Sequence, residues 1–324
     1  MNRRTRLLVE LLRRLPRPEE PSTRYLSSVR RELPRGVARL LLGPVGAEVT
    51  IRDITVPTTD TLLPARVYRP RSAADEVRPL VVNLHGGGFV LGTLTTADWL
   101  CGQVAGRAGV TVVSVGYRLA PEYPAPTPFL DAWTATRWLV EHAGLVRGDP
   151  NQVSVLGESA GANLAALIAL ANRDEHRRDP AWPALTQQIL AYPAVDLTLS
   201  SASVDEDPDA PMLRRHTLDW YGRLYLPQGL ATSIAADDPR VSPIFAADHT
   251  DLPPTLVLAA GQDPLRDDAI RYAAVLEAAG VPVTTRVYPD AIHGFLSIPL
   301  FEPTAHEAVE VIATHLRTGN PSGR

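Results

Sequence analysis

Val153-Ser154-Val155-Leu156-Gly157-Glu158-Ser159-Ala160-Gly161-Ala162-Asn163-Leu164-Ala165 passes from an apolar extended run into a helix-forming one. Between the two lies Gly157-Glu158-Ser159-Ala160-Gly161, which fits the pattern G-x-S-x-G. The pentapeptide alone is weak evidence, but its setting gives it force. A sharp strand-to-helix turn needs small neighbours around the serine, and Gly157, Gly161 and Ala162 supply them. The serine then projects beyond the strand end, over a helix N-terminus whose free N–H groups favour developing negative charge.

Working outward, residues 49–56 and 65–68 alternate as an antiparallel pair would. Short apolar runs follow at 80–84, 110–115, 153–156, 185–192, 255–260 and 283–288. They are too uniformly apolar for a sheet with one wet face, so burial on both faces is expected. Helical periods fall between them at 96–108, 128–142, 160–172, 267–279 and 303–316, with Gly109 and Gly280 placed as C-caps. This order predicts a doubly wound α/β architecture with a mostly parallel sheet. Two regions break the alternation, giving an expected division into 1–47, 48–198, 199–242 and 243–324. The insertion 199–242 carries Met212, Leu218, Trp220, Tyr221, Leu224 and Tyr225 at helical spacing, which reads as a lid over a pocket.

His85-Gly86-Gly87-Gly88-Phe89 directly follows the run 80–84. Successive glycines at a strand end present N–H groups with no side chain in the way. The N–H groups of Gly87 and Gly88, joined by that of Ala160, are therefore the expected oxyanion hole. His85 is read as fixing the turn. The base must come later, and His293 is the candidate, in Asp290-Ala291-Ile292-His293-Gly294-Phe295 beyond the last strand. His142, His176, His216, His249, His306 and His315 are expected on the surface. The orienting acid should end the preceding strand. Asp263 does so in Gly261-Gln262-Asp263-Pro264-Leu265-Arg266-Asp267-Asp268, with Asp267 and then Asp290 as alternatives. The order Ser159, Asp263, His293 completes a catalytic triad.

Composition narrows the function classes. The 324 residues carry a net charge of −4, which argues against a nucleic-acid partner, and 45% are hydrophobic, as in a globular chain. Every basic residue is arginine. The single cysteine, Cys101, excludes an intramolecular disulfide and a cysteine zinc site, and it reads as a small core residue. That agrees with a reducing compartment, so a cytoplasmic location is expected. Leu7, Leu8, Leu11, Leu12 and Leu15 space out an amphipathic helix, but Glu10, Arg13 and Arg14 interrupt the apolar stretch a secretory signal needs. Packing on the rest of the protein is the expected use of that helix, with a membrane surface as the alternative. No run of about 20 apolar residues is present to span a bilayer.

The motifs together resemble the hormone-sensitive-lipase-like esterases, bacterial family IV of the α/β-hydrolase superfamily. The likeness rests on His85-Gly86-Gly87-Gly88, Tyr117-Arg118-Leu119-Ala120-Pro121-Glu122, the Ser159 pentapeptide, Asp263-Pro264-Leu265-Arg266-Asp267 and His293-Gly294-Phe295. It extends over residues 80–316. It implies an α/β-hydrolase fold with a helical cap built from the N-terminal helices and the insertion. It also implies a carboxylesterase for small to medium acyl esters, needing no metal or organic cofactor, and a homodimer as in capped relatives. Tyr117–Glu122 resembles a structural turn. Glu158 stands where the family usually has Asp or Thr, and Ala162 where it often has Gly; Glu158 is expected to point away from the nucleophile and to alter local hydrogen bonding. Phe89, Trp220, Phe295 and Leu296, with Trp99 and Tyr221, are candidates to line an apolar substrate pocket. The triad itself does not choose an ester over an amide, lactone or carbamate. A ligand receptor on the same fold is the rival outside catalysis, and the presence of His293 speaks against it.

Overall fold

The computed structural model describes residues 5–6, 9–10, 23–32, 34–73, 75–229 and 233–319. The expected leucine face of the first helix (Leu7, Leu8, Leu11, Leu12 and Leu15) lies outside the described residues. Eight strands form one sheet: β1 (Val49–Pro57), β2 (Leu62–Pro70), β3 (Arg78–Leu84), β4 (Thr111–Val115), β5 (Gly148–Glu158), β6 (Gln187–Ala191), β7 (Thr255–Gln262) and β8 (Val283–Ile292). Their order is β1-β2-β4-β3-β5-β6-β7-β8. The hairpin β1–β2 and the β2–β4 pair are antiparallel, and every pairing from β4 through β3 to β8 is parallel.

All the apolar runs except the last are buried on both faces, and their side chains alternate between two cores; at the edge strand β8 the expectation fails, since residues 283–287 are partly or fully exposed, Val287 at 45%. Leu80, Val82 and Leu84 of β3 face one layer, with Leu164 and Ile168 of the helix Ala160–Arg178 and Ala132 and Leu139 of the helix Thr127–Glu141. Val81 of β3 and Leu156 of β5 face the other, with Leu100 and Val104 of the helix Asp98–Ala108 and Val309 and Ile312 of the helix Thr304–Thr318. The helix Arg266–Ala278 adds Tyr272 and Leu276 to the first layer. The sheet is thus covered on both sides, as the alternation of short apolar runs with helical periods requires. Cys101 is fully buried in the second layer.

Polar anchors hold the periphery to this core. Arg30, after the helix Thr23–Val29, donates to the carbonyls of Val90 (2.7 Å) and Ala120 and pairs with Glu122 at 2.7 Å. Glu32 accepts the N–H and hydroxyl of Thr95. Arg66, buried in β2, is satisfied by Asp53 at 2.6 Å and Asp98 at 2.8 Å, and Tyr68 donates to the same Asp98 oxygen at 2.6 Å. Within the Tyr117–Glu122 turn, Tyr117 donates to the carbonyl of His85 (2.7 Å) and Arg118 pairs with Asp131 at 2.6 Å. The stretch therefore braces the loop after β3.

The expectation that every other histidine lies on the surface is corrected at two positions. His249 is buried, bonded through Nε2 to the carbonyl of Pro243. His315 is 2% exposed, and neither ring nitrogen has a partner among the described residues. His249 lies in a loop, where no period applies, whereas His315 stands two helical turns beyond the buried Ala308 and so falls on the inward stripe of its helix.

Candidate active site

The chain reverses from β5 into the helix Ala160–Arg178 at Ser159, which takes φ 54° and ψ −119°. A non-glycine residue at positive φ is uncommon and strained, and such strain gathers at functional sites. The turn closes only because its flanks are small. A Cβ on Gly161 would stand 2.0 Å from the carbonyl oxygen of Leu84, inside any allowed contact. The residue types that identified the elbow are thus those its geometry demands.

Ser159 Oγ lies 2.9 Å from His293 Nε2. His293 Nδ1 lies 2.8 Å from Asp263 Oδ2, whose partner oxygen Oδ1 accepts the N–H of Leu265, also at 2.8 Å. Since a carboxylate oxygen can only accept, Nδ1 carries the proton and Nε2 is left to accept from the serine hydroxyl. All three side chains are buried, at 8%, 8% and 5% exposure, so their interactions are little screened by water. The structure brings Asp263, and neither alternative acid, to the imidazole. Asp267 bonds instead to Arg266 and the N–H of Ser203, and Asp290 is exposed.

Gly86, Gly87, Gly88 and Ala160 border the same cavity as Ser159. Gly87 holds φ +131° in a tight turn whose carbonyl accepts from Val90 and Leu91. Ala160 is the first residue of its helix, where the N–H has no intrahelical partner. Among the described residues nothing accepts from the N–H of Gly87 or Gly88. Three donors therefore remain available beside Ser159. His85 is turned to its own loop: Nδ1 contacts the carbonyl of Gly86 at 2.9 Å and the ring stacks on Tyr117. Burial pulls its pKa down to about 4, so it stays neutral.

The cavity, about 820 Å³, is walled largely by Phe89, Leu213, Leu218, Tyr221, Tyr225 and Leu226. Five of these six come from residues 199–242, the insertion that interrupts the strand–helix alternation. Three of the proposed pocket residues are corrected. Trp220 packs into the first core layer, and Phe295 and Leu296 into the second, with Phe295 edge-on to Tyr192 and Tyr288. Trp99 also lies in the second layer. Of the aromatic candidates only Phe89 and Tyr221 reach the cavity. Sequence spacing did not separate these groups, because the apolar side of the insertion helix Arg215–Tyr225 serves both core and cavity, Trp220 packing into the one and Tyr221 lining the other.

Glu158, expected to point away from the nucleophile and to alter local hydrogen bonding, bonds to residues other than Ser159. It is 2% exposed, borders the cavity, and its Oε2 accepts the hydroxyls of Tyr192 (2.6 Å) and Ser297 (3.0 Å). Burial raises its pKa, opposed by those two hydrogen bonds and by the nearby charge of His293. Tyr192, itself at φ 38°, sets its ring edge-on against His293 with centroids 5.1 Å apart.

The sequence matches the alpha/beta hydrolase fold family over residues 81–297. It is 39% identical to the esterase LipI of Mycobacterium tuberculosis over 281 residues, covering 86% of this chain and 82% of the relative. Ethyl acetate hydrolase of Pseudomonas putida is 36% identical over 86% of each chain. Among solved structures, a hyperthermophilic esterase from the archaeon Pyrobaculum calidifontis superposes with a TM-score of 0.86 at 35% identity, covering 98% of both chains.

Proposed function

We propose, for a chain that belongs to the alpha/beta hydrolase fold family and is a carboxylic ester hydrolase, that Ser159 is the nucleophile, His293 its general base and Asp263 the carboxylate that orients the base. The observation that carries this assignment is the unbroken path from Ser159 Oγ through both nitrogens of His293 to Asp263, at 2.9 and 2.8 Å. Ser159 Oγ adds to the ester carbonyl as His293 Nε2 takes its proton. Asp263 holds the tautomer and stabilises the imidazolium. The N–H groups of Gly87, Gly88 and Ala160 receive the oxyanion, each such donor being worth about 10²–10³ in kcat. Collapse of the intermediate expels the alcohol, which takes the proton from His293. Water then attacks the acyl-enzyme by the same base and releases the acid.

The substrates are small to medium acyl esters, held against a wall contributed largely by the insertion 199–242. The apolar character of the walls and a volume within the range of small-molecule sites support this reading. Ser159→Ala tests the assignment. Hydrolysis of p-nitrophenyl butyrate should fall by roughly 10³-fold or more at unchanged melting temperature, whereas retention of more than about a tenth of the activity removes Ser159 from the mechanism.

A further inference from the structure

Glu158 stands one residue before the proposed nucleophile, and the triad mechanism gives it no task. Three features of its surroundings set it apart from a filler. Its carboxylate is buried, yet no arginine pairs with it among the described residues, unlike the buried Asp98 with Arg66 and Asp131 with Arg118. One of its oxygens, Oε2, accepts two hydroxyl groups at once, from Tyr192 and Ser297, and both bonds favour the ionised form against the burial that opposes it. Those donors come from the two places that flank the imidazole. Tyr192 follows β6 and lays its ring edge on His293, and Ser297 lies on the 3₁₀ turn Phe295–Ser297 immediately after His293-Gly294.

We infer that Glu158 is a positioning residue that ties the loop carrying His293 to the elbow carrying Ser159 and places a second carboxylate against the imidazolium. The inference rests on the triad reading above. The Ser297–Glu158 bond joins the base loop to the residue adjoining Ser159, so the Nε2–Oγ distance is set by a short covalent and hydrogen-bonded ring rather than by the loop alone. The ionisable groups packed against His293 are Asp263 after β7, Glu158 at the end of β5 and Tyr192 after β6. Burial pushes the Tyr192 hydroxyl well up, so it remains a neutral donor, and the two carboxylates supply the negative charge. A charge within such a dry site favours the protonated imidazole that forms as the serine is deprotonated.

Glu158→Gln, Glu158→Asp and Ser297→Ala, assayed on p-nitrophenyl butyrate across pH 5–9 with melting temperatures beside them, test the inference. In Glu158→Gln the side chain keeps its length and loses its charge. Its kcat should fall about tenfold or more with KM nearly unchanged, and the acid limb of kcat/KM should move about one pH unit lower as His293 loses a stabilising neighbour. Ser297→Ala and Glu158→Asp keep the charge and break the tie. They should lose kcat while the acid limb stays in place, and these two decide the matter if Glu158→Gln does not fold. Wild-type kcat and acid limb in Glu158→Gln, wild-type kcat in both tie-breaking variants, or an unmoved acid limb with equal losses in Glu158→Gln and Glu158→Asp, overturns the inference. Ser159→Ala separates the two levels of the account. If it is inactive and the Glu158 variants behave as wild type, only this inference falls; if it is active, the triad reading falls first.

Discussion

His315 places an imidazole in the interior, on the helix Thr304–Thr318, with neither ring nitrogen bonded among the described residues. Burial pulls its pKa down to about 4 from 6.5. The folded chain therefore binds this proton less readily than the unfolded chain, and the site costs stability as pH falls from 6.5 toward 4. His315→Leu should melt higher than the wild type. Its advantage should widen by about 2 kcal/mol between pH 8 and pH 5, read from paired denaturant titrations. A constant difference across that range would show that the imidazole is not held neutral. This burial was legible in the spacing and was missed: His315 stands two helical turns beyond the buried Ala308 on the inward stripe, while the exposed His306 lies on the opposite face. Asp263 and His293 were legible because each follows an apolar run that reads as a strand, buried before Asp263 and at the exposed sheet edge before His293. Glu158 was read only as a departure, since its partners Tyr192 and Ser297 are 34 and 139 positions away.

At the scale of elements, alternation located the first two strands and the apolar runs the other six, and the differences lie at their ends. β5 begins at Gly148 because its polar first residues pair with Arg78 and Pro79 across a register shift. The helix expected over 160–172 continues to Arg178. Arg173 and Arg177 in its last turns bond to the carbonyl or carboxylate groups of Asp248, Thr250 and Asp251, so tertiary contacts sustain a stretch without apolar periodicity. The elbow between these two elements has the least room. In Gly161→Ala the new methyl meets the backbone of Leu84 and His85, which cannot swing aside as a side chain would. The expected loss is roughly 3 kcal/mol or more, with a matching fall in melting temperature and in ester turnover. Wild-type melting and turnover would mean that the strand and helix are not so closely apposed.

Across the whole molecule, substrate choice depends on parts that the alternation of strands and helices does not predict. The sheet edge supplies Ser159, His293 and Asp263, while residues 199–242 supply most of the apolar wall. The composition of that insertion revealed an amphipathic helix, but not which of its faces meets the cavity, and so Trp220 was placed there in error while Leu213 and Leu226 were overlooked. In a series of p-nitrophenyl esters, kcat/KM should peak at short to medium chains and fall beyond about C10, as expected of a site that takes small to medium acyl groups. Activity still rising past that length would show that the wall opens to longer chains.

All of these expectations depend on the reactivity of one hydroxyl. Incubation of the folded chain with a fluorophosphonate, followed by peptide mass mapping alongside residual esterase activity, tests it most directly. The account predicts a single adduct on Ser159, in the peptide containing Gly157-Glu158-Ser159-Ala160-Gly161, with activity lost in proportion to labelling. Labelling at another serine with loss of activity, or full activity after Ser159 is blocked, would contradict it.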